Sequence, residues 1–416
     1  MLKNLYQQSF FNIEIGDVDS SHIKNVAKAV EKLRSEIIAN SLPAINIINQ
    51  AEDLKLYQKL SEKIKKFSKV ILLGVGGSSL GAKTICSLKA NHQIEFLESI
   101  DPNSIDNVLN QLKLEQCFFL VISKSGETVE TICQTLIILK KLQFKKEQGK
   151  NINFDQIAQQ FLFITANKTS SIAKIAKQIN AEIIDHHPQI GGRYSVFSVV
   201  GILPAIIADL DAIKFRQGAK KVVELFLAKD DFANYCAIQL QLYQKGFHNN
   251  VFMPYLDNLK NFTDWYRQLL AESLGKNGFG ATPINSMGTV DQHSQLQLYL
   301  EGNHDKFFTF IGSKKTTNDF LIEDLENCQT LFGNKNLSEI LAVEKNTTIE
   351  VLKQKKLPIR IFEFDQLDEE SLGALMMQMF LEIIIIAYAN NIDPFDQPAV
   401  ELRKNLAKKI LLNFKN

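Results

Sequence analysis

The amino-acid sequence predicts an α/β protein with two doubly wound parallel sheets and extra helices at both ends. Short apolar runs typical of buried strands alternate with helical patterns from Lys69 onward, and a second such series begins near NVFMPY at residue 250. A chain of 416 residues also exceeds one ordinary hydrophobic core and suits two domains. We therefore expect an N-terminal helical segment, two domains and a C-terminal loop with a helix, over residues 1–45, 46–212, 213–390 and 391–416.

The elements of the first half are predicted in order. Apolar residues from Ile23 to Ile37 recur every three or four positions, which indicates an amphipathic helix. Five β-rich runs separated by helical stretches then predict a parallel sheet covered on both faces; they are KVILLGV, IEFLES, CFFLVIS, FLFIT and AEIID. The stretch from Gly191 to Leu210 predicts a long buried helix that contains Pro204.

The second half repeats this architecture without the Ser/Gly-rich turns of the first. Its predicted strands include NVFMPY, KFFTFIG and PIRIFEF, and a closing helix is expected from about Val400 to Phe414. The apolar run MMQMFLEIIIIAYA is short for a bilayer span and contains Glu382, so it predicts a buried helix rather than a membrane segment.

Charge and cysteine content exclude several classes of partner. Lys and Arg number 47 against 46 Asp and Glu, so no global charge recruits nucleic acid or an acidic membrane surface. The N-terminus lacks the pattern of a secretory signal, and the five cysteines are scattered without a CxxC pair. We expect reduced thiols and a cytoplasmic location.

Two turns at predicted strand ends indicate an anion site. Gly74–Gly81 follows a strand and opens a helix, but it misses both the dinucleotide fingerprint and the P-loop pattern by one residue. Its glycines allow close approach of a ligand, and its serines add hydroxyls near a helix N-terminus. The second turn, Ser123–Thr128, places three hydroxyls and one ammonium group at a helix N-terminus, as a phosphomonoester requires. For the second turn alone, an ordinary Ser/Thr helix cap with Glu127 on the first helical turn is an equally good explanation, whereas two such turns in neighbouring units favour a bound anion.

The motifs resemble a known family. GVGGSSLGAK and ISKSGETVET resemble the sugar-phosphate loops of the sugar isomerase domain, a flavodoxin-like fold shared by isomerases, an amidotransferase domain and sugar-phosphate sensors. Four further segments, in the family's order, narrow the resemblance to the glucose-6-phosphate isomerase family; they are GGRYSVFSVVG, QLLAESLGKNG, GTVDQHSQLQLYLEG and DPFDQPAVELRK.

The resemblance implies an aldose–ketose isomerase acting on a sugar phosphate, and it assigns residues to roles. The phosphate would be held by Ser123, Lys124, Ser125 and Thr128, and the sugar would be contacted by Gly77, Ser78, Gln268 and Gln397. The catalytic residues would be Glu272 as base, Arg193 as its charged neighbour, and His293 and Lys404 for ring opening. In this family the histidine comes from the partner subunit, so a homodimer is expected.

The chain departs from the family pattern at three positions of these motifs. Leu274 stands where many members carry Asn, and Ala399 and Arg403 replace two glycines beside Lys404. The compact length also implies that the partner-embracing arm of longer relatives is absent or reduced.

The chemistry accounts for the implied roles. One carboxylate can move a proton between C2 and C1 through a cis-enediol, provided that it lies in a dry cleft and that a cation stabilises the intermediate. Glu272 and Arg193 fit this pair. A histidine suits ring opening because it exchanges protons near neutral pH. No HExxH or comparable ligand cluster is present in the sequence, so we expect no metal and no cofactor.

Two other functions remain open at this point. A non-catalytic sugar-phosphate regulator would keep the two turns and lose Glu272, Arg193 and His293. A dual-specificity phosphoglucose/phosphomannose isomerase would use the same base and differ only at C2.

Overall fold

The computed structural model of the protein describes residues 5–13, 18–90, 92–147, 154–228, 231–326 and 328–414. The strands in these ranges are β1 (Tyr6–Phe11), β2 (Lys69–Leu73), β3 (Ile94–Leu97), β4 (Cys117–Ile122), β5 (Phe161–Thr165), β6 (Glu182–Asp185), β7 (Asn249–Pro254), β8 (Thr282–Asn285), β9 (Lys306–Lys315), β10 (Leu321–Ile322), β11 (Lys335–Asn336) and β12 (Ile359–Gln366). The helices are α1 (Ser20–Ile38), α2 (Pro43–Asn46), α3 (Glu52–Ile64), α4 (Leu80–Cys86), α5 (Pro102–Gln111), α6 (Val129–Glu147), α7 (Phe154–Gln159), α8 (Ser171–Gln178), α9 (Val199–Ile207), α10 (Ala212–Ala228), α11 (Asp231–Gln244), α12 (Lys260–Leu274), α13 (Leu296–Glu301), α14 (Leu337–Gln354), α15 (Glu369–Ala389) and α16 (Pro398–Asn413).

The first sheet has the strand order β3-β2-β4-β5-β6, and every neighbouring pair is parallel. β4 is buried along its whole length, as expected for a strand covered by helices on both faces. The five apolar runs predicted from the sequence form this sheet, which confirms the doubly wound fold of the first half. Because β2 and β4 are parallel neighbours, the turns that follow them lie side by side.

The second sheet has the order β1-β12-β9-β7-β8, in which β1 alone runs antiparallel to its neighbour. β1 is not predicted from the sequence, since residues 1–45 are expected to be helical and YQQSFF carries two glutamines. Two polar side chains of β1 form hydrogen bonds with the rest of the protein. Gln8 Oε1 accepts a hydrogen bond from Arg360 Nη2 at 2.7 Å, and the Tyr6 hydroxyl donates to Gln378. Tertiary pairing with β12, rather than local propensity, therefore determines this strand.

Helices between the two sheets form a layer that both sheets share. Along β2, Val70 and Leu72 join the central apolar cluster, whereas Ile71 and Leu73 face the outer one. The central cluster also contains residues of the second half, among them Trp265, which is 1% exposed and therefore a core residue as predicted. Because this core is continuous across both halves, the domain boundaries stay a prediction.

The long apolar helix near the C-terminus is α15. By length and composition it could cross a membrane, but its residues from Ser371 to Ala387 are buried inside the protein. The predicted buried helix is thus confirmed.

One predicted helix is shorter than expected. The stretch from Gly191 becomes helical only at Val199, where the Ser198 hydroxyl accepts a hydrogen bond from Val200 N at 3.4 Å. The residues before this cap form a short turn, Gly192–Tyr194, which places Arg193 outside the helix.

Candidate active site

The first Gly/Ser turn connects β2 to α4 and packs against the segment that carries Arg193. A Cβ atom at Gly77 would lie 2.2 Å from the carbonyl carbon of Gly192, so the two backbones meet at a distance that only glycine allows. The Ser195 hydroxyl donates to the Gly77 carbonyl at 3.1 Å and fixes this contact. Ser78 is half-buried beside it.

The second turn follows β4 and leads into α6, and its hydroxyls form a compact group. Ser123 Oγ and Thr128 Oγ1 lie 2.8 Å apart, and the backbone N–H of Gly126 donates to Ser123 Oγ at 3.1 Å. Gly126 has a φ of +68°, which turns the chain so that these groups face each other. Ser125 is exposed at the same turn.

The two charged side chains of this turn behave differently. Glu127 accepts hydrogen bonds from the backbone N–H of Ser171 at 2.8 Å and from its hydroxyl at 2.7 Å, so its carboxylate caps α8. Lys124 is half-buried, and burial together with the positive charge of Arg193 lowers the pKa of its ammonium group. Two cations that disfavour each other are both stabilised by an anion placed near them. The turn therefore suits a phosphate group.

The guanidinium of Arg193 is the structural centre of the site. Its side chain is 1% exposed, and all five of its N–H groups have an acceptor. The acceptors, with their distances, are Ser273 Oγ for Nε (2.9 Å), Glu272 Oε2 (3.1 Å) and Gln397 Oε1 (2.8 Å) for Nη1, and the carbonyls of Pro394 (2.5 Å) and Asp396 (2.9 Å) for Nη2. Arg193 thus joins α12 to the segment between α15 and α16.

Glu272 lies on the last turn of α12, and each of its two carboxylate oxygens accepts a hydrogen bond from a different residue. Oε2 accepts from Arg193, and Oε1 accepts from Gln268 Nε2 at 3.1 Å, one helical turn earlier. Gln268 Nε2 also lies 3.1 Å from the position of a Cβ atom on Gly76, so it reaches the first turn. The Glu272 side chain is 30% exposed, so the carboxylate borders solvent rather than the dry cleft that the sequence analysis expects.

Two predicted residues lie outside this cluster. His293 follows the turn Val290–Gln292 and is exposed, and no hydrogen bond joins its side chain to another residue that the structure describes. Lys404 lies on α16 with half of its side chain exposed, and its ammonium group pairs with Glu401 at 2.7 Å. A single chain therefore brings together Glu272, Arg193, Gln268, Gln397 and the two turns, but not His293 and Lys404, the residues predicted for ring opening.

The structure also reveals supporting residues that the sequence analysis does not single out. Ser273 accepts from Arg193, and the Tyr194 hydroxyl lies 2.9 Å from the same Oγ. Lys276 pairs with Asp396 Oδ1 at 2.6 Å, and it also donates to the carbonyl of Asp393. These residues lie inside the motifs quoted above, next to the residues that were assigned roles. Their position in the motifs could therefore have indicated that they support the site.

The Glu272 carboxylate contacts Arg193, the segment that carries Arg193 packs on the first turn, and Lys124 of the second turn lies close enough to Arg193 for their charges to interact. Such a set can bind a phosphorylated substrate by its charged end and move a proton at a carbon further along it. Among the described residues, no group of three or more His, Cys, Asp or Glu is placed to hold a metal ion.

Comparison with known proteins agrees with this geometry. The family model described as phosphoglucose isomerase matches residues 49–416. A protein of Methanococcus maripaludis named "Probable glucose-6-phosphate isomerase" is 32% identical, over 99% of this chain and 94% of its own length. The glucose-6-phosphate isomerase of Methanocaldococcus jannaschii is 30% identical, over 96% of this chain and 97% of its own. Among solved structures, a hypothetical protein of Thermus thermophilus has the same fold, with a TM-score of 0.85 at 24% identity, and it covers 97% of this chain and 100% of its own.

Proposed function

The chain belongs to the phosphoglucose isomerase family, and we infer from this membership that it is an aldose–ketose isomerase that interconverts glucose 6-phosphate and fructose 6-phosphate. This reaction is a step of glycolysis and gluconeogenesis. The observation that carries the inference to the level of residues is the 3.1 Å contact of Glu272 with Arg193, beside the two Gly/Ser turns.

We assign the phosphate to the second turn and the sugar to the first. Ser123, Ser125 and Thr128 supply hydroxyl donors, and Lys124 supplies the counter-charge. Gly77 and Ser78 then face the carbon chain, because β2 and β4 are neighbours and their turns share one edge of the sheet.

Glu272 is proposed as the base that carries a proton between C2 and C1 of the open-chain sugar through a cis-enediol. Arg193 orients the carboxylate and stabilises the negative intermediate. Since all five N–H groups of Arg193 are already engaged, an enediolate oxygen must replace one of their acceptors, and we place this exchange at Nη1, which also meets Glu272. Gln397 is the neutral acceptor there, so its displacement costs less than breaking the ion pair with Glu272.

Lys404 is proposed to assist ring opening from the same end of the chain. It lies seven residues after Gln397, which corresponds to about 10 Å along α16 and almost the same face of the helix. A modest closure of α16 would let the long lysine side chain approach the substrate, while Ala399 and Arg403 occupy the intervening turns.

His293 is proposed to act in the site of a second copy, within a homodimer. Val290 and Leu298 flank it and are 66% and 54% exposed. The neighbouring Gln292 donates to Thr348 Oγ1 on α14 at 2.5 Å, so the turn before His293 packs against α14. The start of α14 and the segment before it carry exposed apolar side chains, which are Phe320, Leu321, Leu325, Leu331, Phe332, Leu337 and Val343. An apolar area of this kind indicates an interface between subunits.

The cytoplasm is the proposed compartment. None of the five cysteines forms a disulfide bond in the described structure, and three of them are buried. Reduced thiols of this kind suit a reducing environment.

A coupled assay with fructose 6-phosphate tests the proposed function. Turnover should be measurable and should persist in EDTA. Mannose 6-phosphate, tested in parallel, should give much slower turnover, and comparable rates with both sugars would make the enzyme dual-specific. Binding of sugar phosphates without turnover would overturn the isomerase assignment and favour a regulator.

A further inference from the structure

A cavity of about 670 Å³ lies between α1 and the segment that follows α15. None of the residues assigned above to the substrate lines it. Its apolar part is formed by Ala29, Ile392 and the ring of Phe395. The polar part comes mainly from α1, where Asn25, Lys28 and Lys32 lie on successive turns of one face.

The charge of this cavity is positive. Lys28 is exposed and makes no ion pair with any residue in the described ranges. The Lys32 ammonium lies 3.7 Å from the ring centroid of Tyr388, and its distance of 4.0 Å from Glu36 is long for an ion pair. Asp393 is the single acidic residue of the lining, and its Oδ1 accepts a hydrogen bond from Phe395 N at 2.8 Å. Two ammonium groups are therefore set against one carboxylate, and the lining keeps a net positive charge.

One wall of the cavity is continuous with the site of Arg193. Phe395 lines the cavity, and its ring centroid lies 5.2 Å from that of Tyr194. The carbonyls on either side of it, from Pro394 and Asp396, accept both Nη2–H groups of Arg193. A ligand that presses on Phe395 or Asp393 would thus act on the hydrogen bonds that orient Arg193.

We propose that this cavity binds a small organic phosphate and that its occupancy changes the rate of catalysis through residues 393–397. Lysines one helical turn apart can both approach a single doubly charged phosphate group, and the amides of Asn25 and Asn391 add donors at the rim. The carbon part of the ligand would lie against Ala29, Ile392 and Phe395. The site is separate from the substrate site, so its ligand is an effector rather than a substrate.

Calorimetry with 2-phosphoglycolate tests the binding directly. The Lys124→Ala variant serves as background, because it weakens phosphate binding at the catalytic turn. In this background we expect one site per chain, and adding Lys28→Ala should weaken its affinity about tenfold, as the loss of a charge-assisted hydrogen bond predicts. Lys24→Ala is the matched control, since Lys24 is an exposed lysine of α1 that does not line the cavity, and it should leave the affinity unchanged.

Three outcomes would overturn the proposal. They are the absence of binding in the Lys124→Ala background, equal affinity with and without Lys28→Ala, and tighter binding of citrate, which would assign the cavity to carboxylates.

Steady-state kinetics of the otherwise unaltered enzyme then test regulation. 2-Phosphoglycolate should change kcat, and Lys28→Ala should abolish that change, whereas purely competitive inhibition would remove the regulatory role. Because calorimetry needs no turnover, it decides the binding site even if the isomerase assignment fails.

Discussion

Arg193 and Ser273 are joined by a hydrogen bond of 2.9 Å between Nε and Oγ, and Ser273 directly follows Glu272 on α12. Two consecutive residues of one helix therefore hold the same guanidinium. The Tyr194 hydroxyl lies 2.9 Å from the same Oγ, and all three side chains that meet there are buried. Ser273 thus sets the position from which Nη1 meets Glu272.

Replacing Ser273 tests this positioning role. In Ser273→Ala the buried Nε–H loses its acceptor, so we expect a free energy of unfolding lower by about 1–3 kcal/mol. We also expect kcat to fall roughly tenfold with little change in KM, because the arginine no longer meets the base at its productive angle. Urea denaturation and steady-state kinetics measure the two effects.

Ser61→Ala is the matched control, since Ser61 is equally buried and donates to Gln58 O at 2.7 Å on α3. It should lose stability and keep its kcat, and the same pattern in Ser273→Ala would refute the positioning role.

Glu272→Gln separates the chemistry from the binding. The amide oxygen of glutamine can still accept from Arg193 Nη1, so the architecture should persist while the base is lost. We expect kcat to fall about a hundredfold or more. The affinity for sorbitol 6-phosphate, an open-chain analogue that keeps the phosphate, should change little. Near-normal turnover would remove Glu272 from the proton transfer.

The two turns could be predicted from the sequence because they lie at strand ends, where parallel topology places neighbouring turns side by side; this argument finds Ser123, Lys124 and Gly77. Arg193 and Glu272 are found only through the resemblance of their motifs to the family. Packing contacts between distant segments could not be predicted in the same way. The hydrogen bonds of Arg193 to the carbonyls of residues 394 and 396 leave no trace in local pattern, since any residue has a carbonyl. β1 could not be predicted for a similar reason, because its pairing with β12, rather than its own composition, makes it a strand.

The lowered pKa of Lys124 predicts how substrate affinity depends on pH. Burial and the charge of Arg193 lower that pKa, so the ammonium loses its proton at a lower pH than the usual value of about 10.4. Phosphate binding requires the protonated form, and affinity should therefore decline as pH rises through this lowered value. The inhibition constant of sorbitol 6-phosphate, measured from neutral to alkaline pH, reports the decline. Lys124→Arg should flatten it, because a guanidinium stays charged. An identical decline in both proteins would show that Lys124 is not the titrating group.

His186 predicts a loss of stability in mild acid. Burial is the main cause that lowers the pKa of His186 to about 4, from an ordinary value near 6.5. Above pH 6.5 the residue is neutral in both the folded and unfolded states. Below pH 6.5 the imidazole of His186 becomes protonated in the unfolded chain but stays neutral in the folded protein. The free energy of unfolding should therefore fall by roughly 2 kcal/mol between pH 7 and pH 5.

Urea denaturation at these two pH values measures the effect. The difference should shrink in His186→Asn and persist in His304→Asn, which alters an exposed histidine instead. A difference that is unchanged in His186→Asn would assign the acid sensitivity to other groups.

A mixed dimer tests whether His293 acts across a subunit interface. In a heterodimer of His293→Ala and Glu272→Gln chains, one site would combine the intact base of the first chain with the intact histidine of the second. The other site would lack both groups. Random assortment makes half of the dimers mixed, and each has one working site, so activity should return to about a quarter of the original value in a two-fold symmetric assembly.

Each variant alone should stay nearly inactive, and a mixture of Glu272→Gln with the double variant is the control that should not recover. If the mixed sample also fails to recover although the chains have exchanged, His293 must act within its own chain, and the exposed surface around Val290 and Leu298 would need another occupant.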